Sequence, residues 1–405
     1  MIDPPTLEVH TRIVSPVALS ERIVAIDILR GVAILGILVM NIQSFSMPLS
    51  AYTFPWSWGE MTGANAVVYY LSHLLASGKF ISIFAMLFGA GIILQNQRLA
   101  SPQTHVRRML ILIGFGLLHA YLFWYGDILF SYGVLGLVVF LLRSLSIRVL
   151  CAVAGSLFFL GLLGNILIGV AMHWVGSTIQ PDLASEFKPS LAAQLAEIDA
   201  MRGTWPAQLA ERAPVAAMAQ TFIFFIYVVP FVAPMMLAGM ALMKSGFYTG
   251  SWPRRRYARI AISGCLLGWT LSAAGLFVDA QTGHDPILSS MVWNQFNTLA
   301  MFPVAIGYSA AVILLAETGW RWLSAFAAVG RTALSCYLLE TLLCTTLFYG
   351  FGFGLFGSVE RTGQIFITVC LWIVLLMFAS LWTRFFRYGP AEWLWRKLTY
   401  GPGRL

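Results

Sequence analysis

The chain alternates long apolar runs with short polar joints, and the runs are longer than a soluble core requires. A helix needs roughly 20 mostly apolar residues to cross the hydrocarbon layer. In lipid the backbone must satisfy its own N–H and C=O groups, so such runs fold as helices. The pattern predicts an all-α polytopic membrane protein with about ten transmembrane helices, at 25–46, 66–96, 109–126, 128–142, 149–173, 214–243, 258–279, 290–316, 332–350 and 362–383. The second run is long enough to be broken near Gly78. The longest polar joint, 174–213, carries Asp182, Glu186, Glu197, Asp199 and Glu211 and can fold over the outer mouth. The expected organisation is a polar N-terminus (1–22), spans one to five (23–173), this outer loop (174–213), spans six to ten (214–383) and a cytoplasmic interfacial tail (384–405). The equal split leaves open a pair of five-helix bundles.

Composition points to the same solvent. The 405 residues are 59% hydrophobic and 10% charged, with mean hydropathy +0.79, where a soluble domain carries about 25% charged residues. The net charge of +8 comes with so little polar surface that a nucleic-acid partner is not indicated. Its placement is more informative. If both termini are cytoplasmic, only Lys79, Lys188, Arg202, Arg212 and Arg361 fall on the outer side, leaving twenty of the 25 Lys and Arg inside. Positive charge accumulates on cytoplasmic segments, and an odd number of spans would scramble the asymmetry. The first 22 residues, with Arg12 and Arg22, lack an apolar core, so no cleavable signal peptide is expected there. The five cysteines lie in apolar runs without a C-x-x-C pair, which reads as packing and not as a disulfide framework or a metal site. In the tail, Trp393, Trp395, Arg396 and Lys397 cluster as in an interfacial helix on the cytoplasmic leaflet.

Ionisable side chains inside spans are costly and usually face a cavity or a partner. The candidates are Asp27, Arg30, Lys79, His119, Asp127, Arg331 and Glu340, with neutral Asn41 beside them. In "AIDILRGVAILGILVMNIQSF", Asp27 and Arg30 are three apart and can pair on one helical face. Asn41 follows Arg30 by eleven positions, about three turns, on the same face and about 16 Å further along. The stripe is either an ion pair plus an interhelical hydrogen bond or the wall of a polar channel. In "GLLHAYLFWYGDIL", a continuous helix would hold His119 and Asp127 ~12 Å apart. A chain break at Gly126 would let the carboxylate turn back and fix the tautomer of a mid-membrane imidazole able to take a proton. The bland alternative is a histidine bonded to a neighbouring helix, with Asp127 capping the next one. In "GRTALSCYLLETLL", Arg331 and Glu340 are half a turn out of phase, so Glu340 needs a partner on another span or must be protonated. Lys79 either serves as that partner or snorkels outward. Arg254, Arg255, Arg256 and Arg259 form a basic cluster that is topogenic and lipid-binding, or holds the phosphates of a cytosolic donor. No phosphate-binding glycine loop, zinc-type His/Cys spacing or G-x-S-x-G elbow occurs.

The blocks "DILRGVAILGILVMNI", "KFISIFAMLFGAG", "GLLHAYLFWYGDILFSYG", "VGRTALSCYLLETLLCTTLFY" and "GPAEWLWRKLT", in this order from residue 27 to 399, together resemble the YeiB family of bacterial inner-membrane proteins. That family is usually placed in a superfamily of membrane-embedded acyltransferases, with the lysosomal heparan N-acetyltransferase as a distant member. The resemblance implies a cytosolic acyl-CoA donor and an acceptor reached across the membrane. One acyltransferase branch has a histidine eleven positions after the first-span arginine, where this chain has Asn41. That departure makes His119 the expected base. A second departure is Cys336 and Glu340, where the family usually reads asparagine and glutamine.

Three functions follow as expectations. In an acyltransferase, His119 acts as general base, Asp127 orients it, and Asn41 bonds the thioester oxygen. Arg30, Arg331 and the inner arginines, Arg254 and Arg255 among them, then hold the phosphates of acyl-CoA. The acceptor is a glycan or small molecule at or beyond the outer leaflet. In a transporter or lipid-handling protein, the same charges line a path. In a structural factor they only pack helices. The sequence does not reveal the oligomeric state.

Overall fold

The computed structural model describes residues 23–96, 101–180, 185 and 187–401. The expectations resting on residues 1–22, including Arg12 and Arg22, and on Asp182 and Glu186 lie outside the described residues. Among those described, the regular elements are helical. Helix α1 (Val24–Ser46) leads through short α2 (Leu49–Thr53) to α3 (Gly63–Leu75) and α4 (Lys79–Asn96). Next come α5 (Pro102–Leu122), α6 (Leu129–Leu141) and α7 (Ile147–Thr178). The long loop holds α8 (Leu191–Arg202) and α9 (Trp205–Gln220). A π-helical run (Phe224–Val232) enters α10 (Ala233–Lys244), and after α11 (Arg254–Gln281) another (Leu288–Trp293) enters α12 (Asn294–Ala316). The chain ends with α13 (Leu323–Arg331), α14 (Ala333–Phe348), α15 (Arg361–Phe385) and α16 (Pro390–Tyr400).

Seven of these stretches among the described residues are long and apolar enough to cross a membrane: α1, α3–α4, α7, the run ending in α10, α11, the run ending in α12, and α15. Helices α13 and α14 add an eighth if they are taken as one span, but they meet at 88°. The 13 residues of α6 are apolar and shorter. The ten expected runs all fall on helices, and the break near Gly78 is present, with Gly78 at φ +75° between α3 and α4.

Lipid supplies no hydrophobic force between helices, so close backbone packing takes its place. A Cβ on Gly330 would stand 1.8 Å from the Asp27 carbonyl oxygen, and one on Gly31 2.0 Å from that of Phe326. Only glycine therefore lets α1 and α13 cross this tightly. The α4–α10 crossing repeats the device: Gly89 meets the Met236 carbonyl and Gly239 that of Met86. These contacts join the first half of the chain to the second. One contiguous core draws on α1, α4, α6, α7, α10, α12, α13, α14 and α15. The packing thus departs from a division into two five-helix bundles, because the tightest crossings pair a helix from each half.

Span nine also departs from expectation. The run 332–350 is one helix, α14, but Arg331, expected at its inner end, closes the preceding helix α13 instead, across a break at Thr332 whose hydroxyl bonds back to the Ala328 carbonyl at 3.0 Å. Arg331 and Glu340 therefore lie on different helices, and the half-turn offset expected of one straight helix does not apply to them.

Candidate functional site

Helix α5 starts at Pro102, earlier than the apolar run suggested, and His119 sits in its last turn. The chain then leaves the helix, and residues 123–128 fold back. His119 Nδ1 lies 3.0 Å from Asp127 Oδ1, with both side chains 2% exposed. The other carboxylate oxygen accepts the Phe130 N–H at 2.7 Å, at the start of α6. Asp127 therefore binds both the imidazole and a first-turn N–H of α6. Gly116 makes this possible: a Cβ there would come 2.2 Å from the Phe130 nitrogen and 2.7 Å from Asp127 Oδ2.

On the far side of the ring, His119 Nε2 lies 2.9 Å from Thr341 Oγ1 on α14. A carboxylate acceptor at Nδ1 places the ring proton there, leaving Nε2 to accept the threonine O–H. Tyr337, one turn earlier on α14, packs its ring 5.0 Å from the imidazole, centroid to centroid. Its hydroxyl receives the Ile128 N–H at 3.4 Å.

Tyr337 and Ile128 also border a cavity of about 390 Å³. Its other walls are apolar side chains of α4, α5 and α6, such as Phe84, Phe88 and Leu112, and a charged rim. The rim contains Asp27, Arg30, Arg108, Arg331, Glu392 and Arg396. Arg30 pairs with Asp27 at 3.2 Å, the pairing expected from their spacing. The α1–α13 crossing seats Arg30 and Arg331 at this rim, since each adjoins one of its two glycines. Helix α16 covers the rim. Trp395 Nε1 donates to the Arg108 carbonyl at 3.0 Å, and the Arg108 guanidinium lies 4.4 Å from the Trp395 ring centre. The tail helix is thus a wall of the cavity, with Trp393, Leu394 and Leu398 exposed on its other face.

The remaining candidates lie elsewhere. Arg254 is exposed on α11 and pairs with Glu317 at 3.1 Å; neither it nor Arg255 lines the cavity. Asn41 is half-buried on α1 and its side chain makes no hydrogen bond to the described residues. Lys79 is neither a partner of Glu340 nor a snorkelling side chain. It is fully buried and donates to the His73 carbonyl at 2.9 Å, to Ser272 Oγ at 3.1 Å and to Asn297 Oδ1. Glu340 is 3% exposed, and its Oε1 has no partner among the described residues.

At the opposite end of α5, the long loop packs over the helix ends. Trp205 Nε1 donates to the Leu122 carbonyl at 3.1 Å, and the Gly350 N–H donates to the Met201 carbonyl at 3.0 Å. Arg212, 1% exposed, donates to the Phe123 carbonyl, while its Nε and Nη2 lack partners among the described residues. Tyr349 Oη and Trp124 Nε1 are buried and unpartnered in the same way.

Sequence reasoning did not single out Arg108, Tyr337, Thr341 or Glu392. Tyr337 and Thr341 lie within the block "VGRTALSCYLLETLLCTTLFY" and Glu392 within "GPAEWLWRKLT", each taken only as a unit.

Fold and site define a multi-pass helical membrane protein with an arginine-rimmed cavity beside a buried carboxylate–imidazole–hydroxyl chain. Comparison with known proteins gives this class a family. Residues 242–402 match a family described as "Protein of unknown function (DUF418)". The chain is 34% identical over 387 residues to "Uncharacterized protein YeiB" of Escherichia coli (strain K12), covering 94% of this chain and 96% of that one. It is 29% identical over 412 residues to "Uncharacterized protein YxaH" of Bacillus subtilis (strain 168), covering 95% and 96%. The chain belongs to the YeiB family.

Proposed function

We propose that the protein is a membrane-embedded acyltransferase of the bacterial inner membrane, taking an acyl group from cytosolic acyl-CoA to an acceptor at or beyond the outer leaflet. In this reading it has ten spans with both termini cytoplasmic, so the α16 end faces the cytosol. The observation that carries the proposal is the cavity's polarity. Four arginines outnumber the two carboxylates, Asp27 and Glu392, on the rim of a hollow with a largely apolar wall, and the hollow is also bordered by Tyr337, the residue packed on His119. Such a hollow suits an amphipathic anion. Arg30, Arg108, Arg331 and Arg396 would hold the phosphates of the donor, and the apolar wall would hold its acyl chain. His119 would act as general base, with Asp127 fixing its tautomer. The acceptor would arrive from the α8–α9 end, past Arg212. Asn41 as an oxyanion donor, and Arg254 and Arg255 as phosphate ligands, have no support in the geometry, and the arginines of the cavity rim take over the second role.

A ligand of the folded state stabilises it. Purified protein should therefore melt higher with acyl-CoA than with CoA-free buffer, and Arg108→Gln with Arg331→Gln should remove most of that shift. A cooperative melt unmoved by acetyl-, butyryl- and palmitoyl-CoA would overturn the proposal. The second reading, a transporter of an amphipathic anion, draws on the 88° break at Thr332 and the helix interruption at Gly78. It requires ligand flux into sealed vesicles, with no chemical change in the ligand.

A further inference from the structure

We infer that Thr341 is the nucleophile of the transfer, carrying the acyl group as a threonine ester between donor and acceptor; this rests on the acyltransferase reading above. An aliphatic hydroxyl is a poor nucleophile until a base takes its proton, and the base works best when a third group orients it. Asp127, His119 and Thr341 have this order, with contacts of 3.0 Å and 2.9 Å through opposite nitrogens of one ring.

The contact is unusual for a threonine in a helix. Such hydroxyls ordinarily bond back to the carbonyl four residues earlier. Thr345, Thr368 and Thr383 do so at 2.8 Å each. Thr341 stands 3.4 Å from its own carbonyl partner, Tyr337, and closer to the imidazole. Its hydroxyl is therefore directed at a base. The acceptor hydroxyl of a one-step mechanism would have to displace it from Nε2, whereas a relay uses the contact as built. Thr341 is 2% exposed, so a threonine ester there would be shielded from hydrolysis. Trp124, whose buried N–H has no partner among the described residues, packs edge-on against the same imidazole, at 6.3 Å between ring centres. Access from the cavity requires Tyr337 to turn aside, since its ring lies between the hollow and His119.

The chemistry closes in two halves. Thr341 Oγ1 attacks the thioester carbon of acyl-CoA as its proton passes to His119 Nε2. The new C–O bond forms, the C–S bond breaks, and the imidazolium proton neutralises the departing thiolate as CoA thiol. The acceptor's hydroxyl or amine then attacks the ester carbon and gives its proton to Nε2. The bond to Thr341 breaks, and the imidazolium returns the proton to Oγ1. The net change is acyl-CoA plus acceptor to acylated acceptor plus CoA.

A relay predicts exchange between acyl-CoA and free CoA with no acceptor present. The full chain in nanodiscs, given acetyl-, butyryl- or palmitoyl-CoA and radiolabelled CoA, should move label into the acyl-CoA pool. Acid-quenched protein should carry the acyl mass on the peptide containing Thr341. Thr341→Val, which keeps the shape and loses the hydroxyl, should reduce exchange at least 100-fold, and Thr341→Ser should restore it. Retained acyl-CoA binding in a melt shows that the valine variant is folded. If wild-type protein binds acyl-CoA but neither exchanges label nor carries the ester, the relay is wrong and direct transfer by His119 stands. If exchange survives in Thr341→Val, another nucleophile acts and the inference fails. If no acyl-CoA binds, the acyltransferase reading falls together with this inference.

Discussion

A Glu392 carboxylate oxygen and the Ser335 hydroxyl lie 2.5 Å apart, tying the last helix to the bend in the ninth apolar run. The break at Thr332 frees the first backbone N–H groups of α14, which then need acceptors. Glu392 Oε1 takes those of Leu334 at 2.6 Å and Ser335 at 3.2 Å, and Ser335 Oγ receives the Ala391 N–H at 3.0 Å. A carboxylate at a helix N-terminus is favoured by the helix dipole. Burial raises the Glu392 carboxyl above its ordinary pKa, while its hydrogen bonds from Ser335 and Leu334 pull the other way.

Glu392→Ala should therefore release α16 from the cavity rim without unfolding the bundle. The two orphaned N–H groups cost about 1–3 kcal/mol locally, which should speed amide exchange across 390–400 by ~10-fold or more, while α1 and α4 keep their protection. Glu392→Gln, which retains a carbonyl acceptor, should fall between. Exchange unchanged in the alanine variant would show that the Trp395–Arg108 contact holds α16 alone.

Two glycines two residues apart on α5 give a paired test of how the histidine site is closed. A methyl at Gly116 meets the Phe130 nitrogen and Asp127, whereas one at Gly114 meets nothing within 4 Å. Gly116→Ala should push α6 away, cost about 1–3 kcal/mol in overpacking and separate Asp127 from His119. Gly114→Ala should gain up to ~1 kcal/mol in helix propensity. Melting temperatures of the two purified variants should move in opposite directions. Equal shifts would mean that α5 and α6 do not close on each other as described.

The legibility of these features in the sequence follows the range of the physics behind them. Hydropathy is a local quantity, so each apolar run can be assigned to a helix. The break at Gly78 is visible because its positive φ suits glycine. Asp27 and Arg30 pair by their spacing along one helix. The Asp127–His119 contact is only conditional, since it depends on the chain leaving α5 at Leu122. Helix pairing is not legible. Gly31 and Gly330 are far apart in the chain, and nothing local tells either glycine of the other. Arg108 and Arg396 join one rim only because α16 returns to α5. Thr341 is one of several threonines in helices, and its hydroxyl is distinguished only by the ring opposite it.

Lys79 illustrates a buried amine used for packing. Its three acceptors come from α3, α11 and α12, so Nζ pins the α3–α4 break to the second half of the chain. Lys79→Ala removes all three bonds and leaves the His73 carbonyl without this donor, while Ser272 Oγ still donates to Asn297 Oδ1 at 3.0 Å, and should destabilise by about 2–4 kcal/mol. Lys79 and Asn297 should also be coupled: in a double-mutant cycle with Asn297→Leu, the pair should lose less than the sum of the singles. Additive losses would place the cost in the cavity and not in the hydrogen bonds. Acyl-CoA binding per folded molecule should be unchanged, because Lys79 does not border the hollow.

Glu197 should make the docking of α8 depend on pH. Its Oε1 accepts the Leu49 N–H at 2.9 Å, joining the long loop to the segment after α1. Burial raises the carboxyl from 4.5 to about 7, with the Leu49 N–H opposing and the nearby Glu211 charge adding to the rise. The native state thus binds this proton more tightly than the unfolded chain does. Its contribution to stability is fully present below pH ~4.5 and is lost as pH rises toward 7. A tenfold difference in proton affinity between the two states corresponds to ~1.4 kcal/mol. The side chain is only half-buried, and solvent screening reduces the total to on the order of 1–2 kcal/mol. Glu197→Gln keeps an acceptor for Leu49 and cannot ionise. The variant should melt one to a few degrees above wild type at pH 8, and the gap should close by pH 5. A gap that is constant from pH 5 to 8, or that widens toward pH 5, would show that this carboxyl ionises freely and that α8 is held by its apolar contacts through Ile198 and Met201.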